Sequence, residues 1–254
     1  MTLAVSIALA AMLLPFLQPE APSGDYPVLA DREVLILGET HGSREIPQYF
    51  LELVRREARR EPRHPVTVGL ELSPSSVRMG CRNDTSRALP SSWTRAAQDG
   101  RSSQAMRELL CALQLHRRVR IVFLDGEERG EDFDRRAAAR FRAVLTARRG
   151  VGMILTGNFH ARDDAGSLAA HLRRLGVTVR TATVSAPVAE TWTCPRGWGG
   201  CGDRRANVNF CSSDPADALE LRWHAIADPR FRWDYCLSFP RLTPSPPAMA
   251  ATAP

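Results

Sequence analysis

The chain contains no lysine, and all 34 of its basic residues are arginine. Without an ε-amino group there is no Schiff-base lysine and no P-loop lysine, so two large enzyme classes drop out. A Gly-x-Ser-x-Gly elbow is missing too, which argues against a serine hydrolase. The one Gly-x-Gly-x-x-Gly run, Gly197 to Gly202, falls in the turn-rich stretch Pro195 to Asp203 and not between a strand and a helix, so nucleotide binding has no support. The six cysteines form no Cys-x-x-Cys pair, which speaks against a zinc ribbon or a thioredoxin motif. Tyrosine is scarce, with only Tyr26, Tyr49 and Tyr235. The net charge of +6 comes from arginines scattered in pairs such as Arg55-Arg56, Arg117-Arg118 and Arg173-Arg174. They are neither interleaved with exposed aromatics nor gathered in a tail. Solvated helix faces are expected, and a nucleic-acid partner is not.

What is present suits one globular domain with a sizeable core: 254 residues, 44% hydrophobic and 24% charged. Met1 to Leu17 is apolar, with no charge before Glu20. It is short for a membrane span, which needs roughly 20 apolar residues. With the small-residue zone at Ala21 to Gly24 it reads as a signal peptide over residues 1–24, although no positive n-region precedes it. An uncleaved membrane anchor is the alternative, and would be the chain's one link to a membrane. Cys81, Cys111, Cys194, Cys201, Cys211 and Cys236 agree with export to an oxidising compartment, periplasmic or extracellular, and an even count suggests disulfides. The expected grouping pairs Cys81 with Cys111 and keeps the other four among themselves.

From residue 25 to 242 the pattern is that of a single α/β domain. Val34 to Leu37 is a buried strand, and Ile46 to Arg60 is an amphipathic helix with Tyr49, Phe50, Leu53 and Val54 on one face. Strands follow at Val66 to Leu70, Val119 to Leu124, Val151 to Thr156 and Val177 to Val184. Helices lie between them at Gln104 to His116, Asp132 to Arg148 and Ser167 to Leu175. Strands alternating with helices imply a three-layer fold around a mainly parallel sheet. Ser73 to Arg101 is too long for an ordinary loop and is expected to form a helical cap. The Cys- and Trp-rich stretch 185–242 is expected to be a disulfide-braced β extension, and the Pro/Ala-rich tail 243–254 to be disordered.

In a parallel sheet all carboxyl ends lie on one edge, where open α/β sheets bind their ligands. The residues directly after each strand are therefore the ones to compare. The first strand gives Glu39 and His41, the second Glu71, the third Asp125 and the fourth His160. Two histidines and three acids are residue types that bind divalent metals or pass protons. His41 can act as a base unaided, because imidazole titrates near neutrality. His41, His160 and Glu39 are candidate ligands for a divalent ion. Glu71, between Leu70 and Leu72, is expected to be partly buried and to need a cationic partner. Arg44 and Arg162 are candidates for that partner, or for holding a substrate. Glu45, Asp132 and Asp134 sit where acids favour a helix N-terminus.

Gly38-Glu39-Thr40-His41 and Gly157-Asn158-Phe159-His160 are two copies of Gly-x-x-His, each ending a strand. Together with Glu71, this pair resembles the superfamily joining Tiki metalloproteases, ChaN-like haem-binding uptake proteins and TraB-type proteins. The run Leu37 to Glu45 is also similar to the Gly-Glu-x-x-His-Gly segment of erythromycin esterase-like proteins. The resemblance spans about Val34 to Val184. The Tiki branch implies metal-site or catalytic roles for His41, Glu39 and His160. The esterase branch implies that His41 is a general base oriented by Glu39 and Glu71. The ChaN-like branch implies haem or iron binding without catalysis. The expectation is hydrolysis of an ester or peptide bond in a small-molecule or peptide substrate, with haem or metal binding for uptake as the alternative.

Overall fold

A computed structural model describes residues 23–24, 26–78, 100–125, 132–147, 149–193, 201–211, 220–228 and 230–248. The central strands are apolar on both faces because helices cover both. In β2 (Val34–Glu39), Leu35 and Leu37 enter one core while Val34 and Ile36 enter the other. This is the period-2 alternation of a pleated strand, with neither face left to water. One face is covered by α1 (Glu45–Arg60) and α2 (Gln104–Leu115). The other carries α3 (Phe133–Thr146), the short α4 (Asn158–Ala161) and α5 (Leu168–Arg174).

Two of the helices begin at a serine cap. Ser103 Oγ accepts the Met106 N–H at 3.3 Å, and Ser167 Oγ accepts the Ala170 N–H at 3.1 Å. In α1 the buried set Ile46, Tyr49, Phe50, Leu53 and Val54 recurs at three- and four-residue steps and faces the sheet. On the opposite face Phe141 of α3 is fully buried. It enters a notch left by two strand glycines. A Cβ at Gly152 would lie 2.9 Å from its ring, and one at Gly69 would lie 3.1 Å away.

The other strands are β1 (Ser23–Gly24), β3 (Val66–Leu70), β4 (Val119–Phe123), β5 (Val151–Gly157), β6 (Val179–Ala186), β7 (Glu190–Thr193), β8 (Gly202–Arg205), β9 (Val208–Asn209), β10 (Arg222–Ala225) and β11 (Tyr235–Ser238). The main sheet has nine strands in the order β1-β10-β11-β6-β2-β5-β3-β4, with β9 beside β6. The five strands β6-β2-β5-β3-β4 run parallel. β5 lies between β2 and β3, so Gly38 is level with Thr156, and Leu155 with Leu70. The carboxyl ends of these three strands are therefore adjacent.

The C-terminal region does more than append a hairpin. β7 and β8 form a separate antiparallel pair, whereas β9, β10 and β11 join the main sheet. Cys211 and Cys236 form a disulfide with Cα atoms 5.8 Å apart, and Cys201 is also disulfide-bonded. Cys81 and Cys194 lie outside the described residues, as does most of the expected helical cap. Before residue 79 that stretch has a 3-10 turn at Pro74–Arg78. Among the described residues no helix is long and apolar enough to cross a membrane.

One expectation needs correction. Residues 243–248 are not a loose tail. Thr243 O accepts the Arg44 N–H at 2.9 Å, the Ser245 N–H reaches Gly42 O at 2.7 Å, and Ala248 N–H reaches Ser102 O at 3.2 Å. Residues 249–254 lie outside the described residues.

Candidate functional site

Glu71 follows β3 directly and is the hub of the carboxyl edge. One oxygen, Oε2, accepts the Thr156 hydroxyl at 2.8 Å and the Gly157 N–H at 2.7 Å. The other, Oε1, accepts Nη1 of Arg101 at 3.2 Å. Burial works against the charge on this carboxyl, but His41, His160, Arg101 and the Gly157 N–H outweigh it and hold its pKa below the ordinary value. Glu71 is therefore an anion, with the cationic partner that a buried carboxylate requires.

The two histidines approach this anion from either side. Nε2 of His41 lies 3.8 Å from Oε2, and Nε2 of His160 lies 3.8 Å from Oε1. Each ring is held at its far nitrogen by another carboxylate. Nδ1 of His41 is 2.9 Å from Oε1 of Glu39, and Nδ1 of His160 is 2.9 Å from Oδ1 of Asp134. An ionised carboxylate only accepts, so Nδ1 carries the proton in both rings. In the neutral form each Nε2 then presents a lone pair toward Glu71. For His160, burial disfavours the cation, but the Asp134 hydrogen bond and the charges of Glu71 and Asp134 prevail and raise its pKa. The Phe133 ring packs against His160 with centroids 4.7 Å apart. The His41 and His160 side chains stay 20% and 29% exposed, so a ligand can reach both.

Both Gly-x-x-His glycines are explained by close approach. A Cβ at Gly157 would sit 3.0 Å from Nε2 of His41. A Cβ at Gly38 would sit 2.3 Å from Oδ1 of Asn158, the oxygen that accepts the Thr183 hydroxyl at 2.7 Å. Bulk at either position would push a site element away.

Of the residues expected here, Glu39, His41, Glu71 and His160 come together, and Asp125 joins them through Arg101 at 3.7 Å. Arg44 and Arg162 are not the groups that hold Glu71. Arg44 has an exposed side chain at the start of α1. Arg162 pairs with Asp164 at 2.8 Å and lies over the Phe159 ring. The arginine that Glu71 requires is Arg101, which no motif marks. Asp134 lies in the first turn of α3, as expected, and also grips His160, whereas Asp132 pairs with Arg135 at 2.6 Å. The visible signal for Asp134 is its place in the first turn of a helix that follows a site strand.

A single ion with ligands near 2 Å gathers its ligand atoms within about 4.5 Å of one another. Among the described residues, only Cys211, His224 and Cys236 bring three ligand atoms within 4.8 Å, and there the two sulfurs are joined as a disulfide. His41, Glu71 and His160 stand wider than that. Glu39 is engaged on Nδ1 of His41, across the ring from the Nε2 that faces Glu71.

Fold and site together define a three-layer α/β protein with two carboxylate-held histidines around a buried glutamate. No protein-family model matches the chain, and no curated protein matches it. Among solved structures, a crystal structure of a Bacillus cereus protein is similar at 10% sequence identity and a TM-score of 0.49, over 84% of this chain and 90% of that one.

Proposed function

We propose that this chain is an exported hydrolase that activates water at His41 to cleave an ester or peptide bond. The observation that supports this most is the pair of oriented histidines, each presenting Nε2 to opposite oxygens of Glu71 at 3.8 Å. That spacing exceeds a direct hydrogen bond and matches one in which a water or a substrate atom stands between nitrogen and carboxylate.

Glu39 fixes the tautomer of His41, leaving Nε2 as the base. Nε2 takes a proton from water while the water oxygen attacks the substrate carbonyl. His160, whose proton the Asp134 hydrogen bond and the charge of Glu71 help to hold, gives its Nε2 proton to the leaving group as the scissile bond breaks. The cycle leaves His41 protonated and His160 neutral. Glu71, facing both nitrogens, lies on the path by which the proton returns. One carboxylate-held base and one carboxylate-held acid supply the two proton transfers that hydrolysis requires. The Gly-x-x-His pair fits a place beside the Tiki and erythromycin esterase-like proteins, and the esterase branch assigns the base role to the same His41. The Cys211–Cys236 disulfide fits an oxidising compartment.

The deciding experiment uses purified protein with a panel of aryl esters and peptides, with and without a chelator. Wild type is expected to hydrolyse members of one class, and His41→Ala to lose that activity. Equal turnover in His41→Ala would refute the reading. Loss of activity on chelation would put a metal in the site, and a Soret band on haem titration that vanishes in His41→Ala would favour binding over catalysis.

A further inference from the structure

The segment Thr243–Ala248 reads Thr-Pro-Ser-Pro-Pro-Ala, and its prolines leave only three backbone N–H groups. Two are spent on the two loops of the site and the third on Glu45, at the start of α1 just beyond the first loop. The Thr243 N–H donates to Oε2 of Glu45 at 2.8 Å, Ser245 N–H to Gly42 O at 2.7 Å and Ala248 N–H to Ser102 O at 3.2 Å. Acceptors on the segment are engaged as well. Thr243 O takes the Arg44 N–H at 2.9 Å, Pro246 O takes the Gln104 N–H at 2.7 Å, and the Ser245 hydroxyl oxygen takes the Ala105 N–H at 2.9 Å. The Thr243 hydroxyl donates to Oε1 of Glu45. Single β-bridges join Pro244 to Ser43 and Pro247 to Ser103.

The two loops so tied are those that carry His41 and Arg101, and they also touch one another. A Cβ at Gly100, which has a φ of +84°, would meet Gly42 N at 2.6 Å and the His41 carbonyl carbon at 2.9 Å. Arg101 and His41 act on the same group, Glu71, at 3.2 and 3.8 Å. A shift of one loop against the other would therefore change both contacts of that carboxylate. Proline fixes φ, so a segment half proline has little freedom to lose when it is laid down and little slack once it is.

We infer that Thr243–Ala248 is a strap that sets the spacing between the His41 and Arg101 loops, and that Glu45 is the positioning residue anchoring it. Glu45 lies at the start of α1, where its two carboxylate oxygens accept both donors of Thr243. Neither Glu45 nor the strap touches the reacting atoms. They act through the placement of His41 and Arg101.

The inference rests on the hydrolase reading for its kinetic arm only, and a spectroscopic arm stands apart from it. Full-length Glu45→Ala, Glu45→Gln and Ser245→Pro are compared with wild type. Ser245→Pro removes the N–H that reaches Gly42. In Glu45→Ala and Ser245→Pro, kcat is expected to fall about ten- to a hundredfold with KM within about twofold, because misplacement of about 1 Å suffices for such losses. Glu45→Gln keeps an acceptor for the Thr243 N–H and should recover most of the rate. In 15N-labelled protein the His41 Nδ1 proton should give a slowly exchanging downfield resonance, lost or broadened in the same two variants and kept in Glu45→Gln. Folded variants with wild-type kcat and an unchanged His41 resonance would overturn the inference. If Ser245→Pro does not fold, Glu45→Ala decides. If wild type hydrolyses nothing, the function reading falls, and the resonance alone decides the role of the strap.

Discussion

Asp134 holds Nδ1 of His160 with both carboxylate oxygens, at 2.9 and 3.1 Å, across 26 residues of sequence and from a different element. Asp134→Asn keeps the shape and removes the charge. The pKa of His160 is then expected to drop, and the alkaline limb of the pH–rate profile to move to lower pH. Loss of an effective general acid would cost about a hundredfold in kcat. A histidine NMR titration checks the first outcome and steady-state kinetics the second.

Stability should depend on pH through two groups of opposite sign. The Glu71 pKa lies below its ordinary 4.5 when folded, so its contribution is present above pH 4.5 and is lost as pH falls through the folded value. The His160 pKa lies above its ordinary 6.5, so its contribution is full below pH 6.5 and is lost as pH rises through the folded value. Melting temperature followed across pH should decline on the acid side less steeply in Glu71→Gln than in wild type. It should decline less on the alkaline side in His160→Asn. Parallel curves for wild type and Glu71→Gln would rule out the first linkage.

Gly157→Ala separates site geometry from folding. Gly157 has a φ of −58°, which any residue adopts, so its backbone is not strained by a side chain. The new methyl would lie 3.0 Å from Nε2 of His41 and 3.4 Å from Oε2 of Glu71. We expect a melting temperature within a few degrees of wild type and a loss of about a hundredfold in activity. A variant as active as wild type would show that His41 tolerates displacement.

Phe141→Ala tests the core on the far face of the sheet. The ring fills the notch over Gly69 and Gly152, which carry no side chain to collapse into the space left behind. Truncation of a fully buried Phe of this kind costs about 3–5 kcal/mol. Urea unfolding should show the midpoint falling with the m-value unchanged.

Much of this arrangement is legible in the sequence, because strand ends can be located from apolar runs and a parallel sheet sends those ends to one edge. Glu39, His41, Glu71 and His160 come from that logic alone. Arg101 does not, since it belongs to no strand end and is brought in by a loop whose path depends on tertiary contacts. Asp134 is visible, but its position in the first turn of a helix offers a local role that conceals the long-range one. The segment 243–248 misled for a different reason. Proline-rich composition signals disorder when N–H groups find no partner, whereas here the three that remain find Glu45, Gly42 and Ser102. Composition counts donors and cannot say where they go.

The insertion of β5 between β2 and β3 sets the order in which the molecule can be assembled. β2 ends at Glu39 and β3 begins at Val66, yet the two share no hydrogen bond, because residues 151–157 occupy the lane between them. A nascent chain that has reached only α3 holds β2 and β3 with an open slot between them. Pairings of such sequence separation close late and slow the search for the native state. The site straddles that slot, so Glu71 meets the Gly157 N–H only once β5 has slid home.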